Sequence, residues 1–573
     1  MGRYEAQNRE YIISLSNRIC SIVSDDGLDG NAQRTVFRQN RLIFFFDKDI
    51  IPKINMFDKD REPSPMLLKL KGVCFMKKFN TYIKPLKHKR INARAFVNIE
   101  KDPYAFQGYK VKKLADISFP FTLGNEEVII DFGDHYTGYL HIAAQGTAEH
   151  VPDSPTLINF TFGEMPIEIA EKVDTTKPTL SPGWLQNDSK SIVFMPYEGS
   201  LERRYSFRYL KLKREYSAYF DVQITDLYID AVSAVDMDDV IPFSSGDELL
   251  DKIDFMCVKT LKECEQDVFE DGPKRDRRLW IGDLRLQALV DYNTFKNIDL
   301  IKRCIYLFAH YLNNEGLVVP CVFPDSPPYI DQWIYLDYSL CLVLCLSDYL
   351  ENTGDKELPA ELYEIALNQI KYAEKAFDRK NAKIDATFFI DHGNYNRCIA
   401  ALGYFAYTIN HAKKLAKKLS KDTEWFDKIY DEVCKALLTY RDEDKGLFVT
   451  KEGEISWQSQ VWAILSGALT VEQARELLSK TIESDPKIRM SSPFMTHYYL
   501  EALFYCGEFD TAVDYIKEYW GAMIDSGFDC CPECFDLRDE MITPYSSAIL
   551  NSACHAWSCT ASYWIRKYYN KGE

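Results

Sequence analysis

The chain has 573 residues, of which 46% are hydrophobic and 14% aromatic, and this length is too great for a single hydrophobic core. Such a composition is typical of a packed globular protein and excludes an intrinsically disordered one. The net charge of −17 disfavours binding to nucleic acid or to an anionic membrane surface, because both require a concentrated positive surface, so a neutral ligand fits better.

The sequence predicts neither a signal peptide nor a membrane span. The chain opens with Met-Gly-Arg-Tyr-Glu-Ala, without the apolar core of a signal peptide. The most apolar segment, residues 338–346, is much shorter than the roughly 18 apolar residues that a span requires. The 16 cysteines are scattered, many of them inside apolar helical patterns, as in reduced cytosolic proteins. We therefore expect a cytoplasmic protein without disulfides.

From about residue 30 to residue 235, apolar residues alternate with period two in short runs separated by turn residues. The predicted strands are 41–46, 95–99, 117–123, 128–132, 139–144, 157–162, 191–195, 209–213 and 220–228. Residues 133–138, Gly-Asp-His-Tyr-Thr-Gly, are predicted to be a hairpin connection between two of them. Many short strands with frequent turns predict a β-sandwich-type region, of one or two subdomains, over residues 1–235.

After residue 247 the period changes to that of amphipathic helices. The twelve predicted helices are 247–266, 283–295, 298–313, 334–352, 358–378, 393–419, 423–440, 457–467, 471–481, 493–506, 508–524 and 546–568. Twelve helices of similar length match six antiparallel pairs closed in a ring, an (α/α)6 toroid. A solenoid of helix pairs would give a similar pattern, but no repeating motif supports it. We therefore predict an all-α toroid over residues 240–573.

The loop before the second predicted helix is the densest group of ionisable residues beside turn formers. It reads Asp271-Gly-Pro-Lys-Arg-Asp276-Arg-Arg-Leu-Trp-Ile-Gly-Asp283. A solvated charged loop is the plain interpretation. A toroid, however, gathers its loops at one rim, and glycoside hydrolysis needs two carboxyl groups, about 6.5 to 9.5 Å apart when water attacks directly. Glu533, in the non-helical segment before the last predicted helix, is the best candidate for the second carboxylate.

This loop resembles the signature of the inverting α-L-rhamnosidases of glycoside hydrolase family 78, an Asp-Cys-Pro-x-Arg-acid-x-Arg-Leu-x-Trp-x-Gly-Asp loop on an (α/α)6 barrel. Trp520-Gly-x-Met523, followed by Gly527 and Glu533, resembles the segment that carries the base of that family. Residues 551–557 resemble its terminal His-Ala-Trp motif, and residues 131–139 and 205–209 resemble motifs of its β-sandwich domains. The resemblance spans about residues 95–568 and implies an enzyme that releases terminal α-L-rhamnose from oligosaccharides or glycosides.

The resemblance also implies roles for single residues. Asp276 would be the general acid, where the family usually carries glutamate, and Glu533 the base that activates water. Asp271 and Asp283 would bind sugar hydroxyls and tune Asp276, and His555 would donate to a hydroxyl. The further expected sugar contacts are Arg275, Trp280, Trp333, Asp529 and Trp557. Asp529 is also a competing candidate for the base, and packing in the core is the alternative for each tryptophan.

A protonated acid at Asp276 sets a condition on the neighbouring arginines, because a facing guanidinium stabilises the charged carboxylate. At least some of Arg275, Arg277 and Arg278 must face away from Asp276, or pair with Asp271 or Asp283.

Two other functions stay open at this point. Residues 530–534, Cys-Cys-Pro-Glu-Cys, contain a Cys-x-x-Cys pair that with Cys554, Cys559 or His555 could form the tetrahedral zinc site of a cysteine-dependent glycosidase. A catalytically retired carbohydrate-binding protein on the same scaffold is the second alternative, although both carboxylates are present. We expect no metal and no cofactor, a carbohydrate as the ligand, and no nucleic acid or membrane partner. A homo-oligomer is compatible with the sequence.

Overall fold

The computed structural model describes residues 35–39, 42–46, 78–147, 155–173, 182–216, 220–325 and 327–569. The chain forms two compact units, Met1–Leu70 and Lys71–Glu573. In the first unit, strands β1 (Thr35–Gln39) and β2 (Leu42–Phe46) pair as an antiparallel hairpin. The rest of the predicted sandwich region before residue 78 lies outside the described residues.

Ten strands of the second unit form one antiparallel sheet in which β3, β12, β7, β11, β8 and β9 are consecutive neighbours. Strands β4 and β10 pair with β7, β5 pairs with β4, and β6 pairs with β12. The strands are β3 (Lys87–Asn92), β4 (Ala95–Lys101), β5 (Tyr109–Asp116), β6 (Phe121–Leu123), β7 (Val128–Gly146), β8 (Thr156–Gly163), β9 (Asn187–Ile192), β10 (Tyr197–Ser200), β11 (Tyr205–Tyr216) and β12 (Val222–Ser233). Their alternate side chains form a core that includes Ile130, Phe132, Phe160 and Phe207. The predicted strand-rich region is confirmed.

Strand β7 is one continuous strand of 19 residues, where we predicted two strands and a hairpin. Its first part pairs with β4 and β11, and its second part pairs with β12 and β10. Gly133 has a φ of 83°, and the register with β11 shifts nearby, so the glycine bends the strand without reversing it. The hairpin at 133–138 was therefore wrong. The continuous strand places His135 in the protein interior.

Twelve helices follow the sheet in the described part of the chain, and a short helix α1 (Pro166–Ala170) lies within the sheet region. They are α2 (Glu248–Cys264), α3 (Ile281–Asp291), α4 (Ile298–His310), α5 (Leu336–Thr353), α6 (Glu357–Ala376), α7 (Cys398–Lys418), α8 (Glu424–Leu438), α9 (Trp457–Leu465), α10 (Val471–Ser484), α11 (Pro493–Cys506), α12 (Phe509–Asp525) and α13 (Ala561–Tyr569). Within the described ranges, no helix combines the length and the apolar character that a membrane crossing requires.

The helices alternate between an inner and an outer ring. Helices α3, α5, α7, α9 and α11 pack on one another in that order. Nearly every residue of α3, α5 and α9 is buried, whereas α6, α8 and α10 bury one face only. Apolar residues all round a helix predict burial on all sides, and an amphipathic pattern predicts an outer position. The (α/α)6 fold class is confirmed.

The last predicted helix, 546–568, was wrong over most of its length, because α13 covers only Ala561–Tyr569. The residues before it form an irregular segment with two 3-10 turns. Its backbone groups bond to other segments: His555 donates its N–H to the carbonyl of Cys531, and Ala556 donates to the loop before α3. These long-range bonds replace the bonds of a helix, and no periodicity in the sequence signals them.

Candidate active site

The loop between α2 and α3 is closed by its own hydrogen bonds. Asp271 donates its backbone N–H to the carbonyl of Arg278, and its Oδ1 accepts the N–H of Arg278, both at 3.0 Å. Directly after Arg278, strand β13 (Leu279–Trp280) pairs with β14 (Cys321–Val322), which anchors the loop to the connection after α4. The closed loop thereby holds Arg275 and Asp276 in fixed positions at the rim of the helical domain.

One guanidinium lies between the two predicted catalytic carboxylates. Nη2 of Arg275 is 3.0 Å from both carboxylate oxygens of Glu533. Nε of the same side chain is 3.8 Å from Oδ1 of Asp276. The side chain of Glu533 is 3% exposed, whereas that of Asp276 is 16% exposed. The structure therefore brings Asp276 and Glu533, which are distant in the sequence, into one site.

The surroundings of Glu533 favour its charged form. The hydroxyl of Tyr545 donates to Oε1, and the backbone N–H of Ser552 lies 3.4 Å from Oε2. Burial alone would raise the pKa of this carboxyl, but the facing Arg275 guanidinium, followed by His555 and His392 and by the Tyr545 hydrogen bond, outweighs it and lowers the pKa to about 2. Glu533 is therefore ionised at neutral pH.

Asp271, Asp283 and His555 form a second buried group. The two nitrogens of His555 lie 3.7 Å from Oδ2 of Asp271 and 3.7 Å from Oδ1 of Asp283. Burial, together with the other carboxyl groups of the site, raises the pKa of both aspartates well above the usual range. Burial lowers the pKa of His555 to about 3, so its imidazole is neutral at pH 7.

Several polar atoms of the site are buried without a hydrogen-bond partner among the described residues. They are Nδ1 of His555, Oδ1 of Asp283, Nε1 of Trp280 and Nε2 of His392. Buried polar atoms are usually paired, and an unpaired group marks either strain or the place of a ligand. Four such atoms, donors and acceptors together, suit a ligand with several hydroxyl groups.

Aromatic side chains border this polar group. Trp557 packs against His555 at 4.4 Å between ring centroids and against Phe494 at 5.4 Å. Its Nε1 donates to the carbonyl of Glu533 at 2.9 Å, which ties the wall to the segment of that residue. Trp280 and Trp333 lie 6.1 Å apart, and Trp333 is 41% exposed. Trp557 thus belongs to the buried wall, and Trp333 lies at the solvent side.

The arginines of the loop point in different directions. Arg275 faces Glu533 and also lies 3.8 Å from Asp276, whereas the other two arginines bind elsewhere. Nε of Arg277 donates to the carbonyl of Pro273 at 3.0 Å. The guanidinium of Arg278 lies 4.3 Å from the ring centroid of Phe323.

Asp529 belongs to a different cluster. Arg208 of β11 donates to both of its carboxylate oxygens at 3.0 and 3.1 Å. The same guanidinium also holds Asp131 of β7, with 2.9 Å between Nε and Oδ1. Asp529 thereby connects the segment that carries Glu533 to the sheet, and its role as a sugar contact or base stays a prediction.

Sequence reasoning missed the loop before α7. His392 lies 5.7 Å from Trp557 between ring centroids. In the same loop, Ile390 has a φ of 55°, which is strained for a branched side chain. The backbone N–H of Ile390 donates to Oδ2 of Asp337 at 2.8 Å. An Asp-His pair beside a glycine on a rim loop was the available signal. Tyr545, also missed, lies in a segment without any periodic pattern.

Two family models match the chain. The N-terminal domain of glycosyl hydrolase family 78 α-rhamnosidases matches residues 93–231. The six-hairpin glycosidase domain of bacterial α-L-rhamnosidases matches residues 238–569. A search of curated proteins finds no match.

Solved structures agree with the family models. A rhamnosidase from Klebsiella oxytoca, with rhamnose bound, is 35% identical to this chain, with a TM-score of 0.82, and the match covers 87% of this chain and 98% of that one. A family 78 rhamnosidase of Bacillus sp. GL1 has 18% identity and a TM-score of 0.65, with 80% of this chain and 49% of that one covered. The α-L-rhamnosidase of Streptomyces avermitilis, in complex with L-rhamnose, has 16% identity and a TM-score of 0.61, with 84% and 44% covered.

The two more distant structures support the fold alone. The helical family model, by contrast, covers more than half of the chain. The match with the Klebsiella oxytoca structure covers 87% of this chain and nearly the whole length of that protein. The chain therefore belongs to glycoside hydrolase family 78 and is a glycoside hydrolase of the α-L-rhamnosidase type.

Proposed function

We propose that the protein is an inverting, exo-acting α-L-rhamnosidase with Asp276 as the acid and Glu533 as the base. The observation that carries this proposal is the placement of the two carboxylates against one guanidinium, at 3.8 and 3.0 Å from its nitrogens. Inverting enzymes need about 6.5 to 9.5 Å between the carboxyl groups, and retaining enzymes only about 5 Å. Direct attack by water needs an ionised base and a separate acid, and the ionised Glu533 and the more exposed Asp276 support these two roles.

Glu533 has the properties of the base. With its pKa lowered to about 2, it can accept a proton throughout the neutral range. Its Oε1 already accepts from both Arg275 and Tyr545. Its Oε2 accepts from Arg275 and has only a 3.4 Å contact with Ser552 besides. Oε2 is therefore the oxygen that orients the water and takes its proton as the water attacks the anomeric carbon.

Asp276 has the position of the acid. It is the more exposed of the two carboxylates, which suits the side from which the leaving group departs to solvent. Its proton passes to the glycosidic oxygen as the bond to the anomeric carbon breaks. The aspartate is one methylene shorter than the usual glutamate, so the glycosidic oxygen must lie closer to the loop.

The buried group around His555 supplies the sugar subsite. Asp283 and His555 offer unpaired donors and acceptors to hydroxyl groups, and the ring of Trp557 offers an apolar surface for the methyl group of a deoxy sugar. Trp280 and Trp333 lie on the more exposed side, where the next group would stack. A subsite that is closed by buried side chains at one end accepts a chain terminus, which supports exo action.

Two variants test the assignment of acid and base. We expect Asp276→Asn and Glu533→Gln to fold as the wild type does and to lose at least about 100-fold in kcat for a phenyl α-L-rhamnoside. The two should differ in their response to the leaving group. A dinitrophenyl rhamnoside needs little protonation, so it should restore much of the activity of Asp276→Asn and little of that of Glu533→Gln.

Asp529→Asn is the matched control, because Asp529 is the other carboxylate of the same segment. We expect it to keep kcat within a few-fold of the wild type. Wild-type turnover in Asp276→Asn or Glu533→Gln would contradict the proposal, and so would a large loss in Asp529→Asn with an active Glu533→Gln.

A further inference from the structure

A second cluster of reactive side chains lies where the sheet meets the helical domain. Nδ1 of His135, Sγ of Cys530 and Sγ of Cys554 lie within 4.8 Å of one another, and all three residues are buried. Nδ1 of His135 is 3.5 Å from Sγ of Cys530. Bonds of about 2.0 Å to nitrogen and 2.3 Å to sulfur at a tetrahedral zinc ion place such ligand atoms roughly 3.5 Å apart. The cluster therefore already has the size of a zinc site.

The hydrogen bonds around His135 engage the nitrogen that faces away from the cysteines. Oγ of Ser206 lies 2.8 Å from Oε1 of the buried Glu164 and donates to it. The same Oγ lies 2.8 Å from Nε2 of His135 and must then accept, so Nε2 carries a hydrogen. The other nitrogen, Nδ1, faces Sγ of Cys530. A histidine that donates to a carboxylate network through one nitrogen and binds with the other is the common arrangement at zinc.

A further cysteine lies outside the cluster. Sγ of Cys264, in the last turn of α2, donates to the backbone carbonyl of Asp271 at 3.7 Å and is not one of the three grouped ligand atoms. Three protein ligands leave the fourth position of a tetrahedral zinc ion to a water molecule. Neither cysteine of the Cys-x-x-Cys pair, Cys531 and Cys534, belongs to the cluster. His555 faces Asp271 and Asp283 instead.

We propose that His135, Cys530 and Cys554 bind one Zn²⁺, with a water molecule in the fourth position. On binding, each thiol releases its proton to solvent and ligates as thiolate, and the imidazole ligates in its neutral form. The metal joins β7, the segment of Glu533 and the segment of His555. It stabilises the frame of the active site and takes no part in the hydrolysis, so this proposal does not depend on the proposed acid and base.

Elemental analysis of the full chain, purified from zinc-supplemented cells, tests the site. We expect roughly one zinc per chain. The variants Cys530→Ser and Cys554→Ser should lose it. Cys534→Ser and Cys559→Ser are the matched controls, since both remove a buried cysteine of the same two segments outside the cluster, and both should keep the metal. Only trace zinc in the wild type, or an unchanged content in Cys530→Ser, would overturn the proposal.

A second measurement uses the wild-type chain alone, in case the serine variants fail to fold. Zinc is removed with a chelator and Co²⁺ is added. Ligation by thiolates at a tetrahedral site should give a charge-transfer band in the near ultraviolet and strong visible bands, with a higher Tm than the metal-free chain. A weak spectrum typical of six oxygen ligands, or a Tm that cobalt leaves unchanged, would contradict the site.

Discussion

At the scale of single residues, Arg275 and Tyr545 help to keep Glu533 negatively charged. Tyr545 lies outside the sequence motifs, and Arg275 lies in the loop motif, where it was predicted to contact the sugar. Arg275 and Tyr545 both bind this carboxylate, and they also contact each other, with 2.6 Å between Nη2 and Oη. The guanidinium lies 4.0 Å from the ring centroid of Tyr545. The three side chains therefore act as one unit that keeps the base ionised.

Removal of the tyrosine hydroxyl gives a test of this unit. In Tyr545→Phe the carboxylate loses a donor, so the pKa of Glu533 rises from its value of about 2. Because a base must be unprotonated to act, the acid limb of the kcat/KM profile should move to higher pH, by roughly one unit for a charge-assisted hydrogen bond. The measurement is the pH dependence of kcat/KM on an aryl α-L-rhamnoside.

Tyr519→Phe is the control for this experiment. Its buried hydroxyl donates to the carbonyl of Phe535 at 2.7 Å, and not to a carboxylate. We expect its profile to match that of the wild type. An acid limb that stays in place in Tyr545→Phe would contradict the role given to this residue.

The sequence predicted that the main site residues lie close together, because its motifs follow the order found in the family that they resemble, whose fold is an (α/α)6 barrel. Asp271, Asp276, Asp283, Glu533 and His555 do converge. The pairing of Arg275 with Glu533 could not be predicted, since it depends on the direction of a flexible side chain.

At the scale of elements, a buried ion pair connects the inner ring of helices. Nε of Arg285, on α3, donates to Asp348 of α5 at 2.9 Å. Its other nitrogens donate to the hydroxyls of Tyr407 on α7 and Tyr498 on α11, at 2.8 and 3.2 Å. One side chain thus links four inner helices, and the aspartate depends on it for its charge.

Replacement of this arginine should be costly. In Arg285→Met the carboxylate of Asp348 is left buried without a cation, and the free energy of unfolding should fall by about 3 to 5 kcal/mol. Urea denaturation followed by circular dichroism measures the change. Arg379→Met is the control: that side chain is 48% exposed and pairs with Glu432, so the expected loss is below about 1 kcal/mol. Equal losses in the two variants would contradict this account of the inner ring.

The periodicity of hydrophobic residues predicted the helices and strands well wherever an element buries one face or all of its faces. It failed at β7 and at the segment before α13. In β7, Gly133 has a positive φ and bends the strand. In the sequence, a glycine that bends a strand cannot be distinguished from a glycine that forms a turn. In the other segment, long-range backbone bonds to Cys531 and to the loop of Asp271 replace the helix. Both failures concern residues that build a candidate site, His135 and His555.

At the scale of the whole molecule, charged pairs connect the sheet to the helical domain. Arg208 binds Asp131 of the sheet and Asp529 of the helical domain. Arg204 binds both oxygens of Glu270 at 2.6 Å. The sheet therefore supports the segments that carry the proposed base and the loop of the proposed acid. The division of the chain at residues 235–240 into two domains stays a prediction.

Loss of the Arg208 pair should weaken this connection. Arg208→Met removes the cation that bridges Asp131 and Asp529, while Lys259 stays close to Asp529, so we expect a lower Tm and a loss of roughly 1 to 3 kcal/mol. Arg90→Met, which removes an exposed pair with Asp226 on the sheet, is the control and should change the Tm little. A Tm of Arg208→Met equal to that of the wild type would contradict a supporting role of this pair.

The fold and the family could be predicted at this scale because periodicity sets the order of sheet and helices, and local motifs mark the rim loops. The contacts between the two regions could not be predicted. They join residues such as Arg208 and Asp529, whose positions in the sequence carry no common pattern.

The stereochemistry of the reaction tests the central claim most directly. An acid and a base that flank a water molecule must give a product of inverted configuration. Proton NMR of the wild-type reaction on an aryl α-L-rhamnoside, recorded before mutarotation, should show β-L-rhamnose as the first product. First formation of α-L-rhamnose would mean a covalent intermediate and would contradict the roles proposed for Asp276 and Glu533.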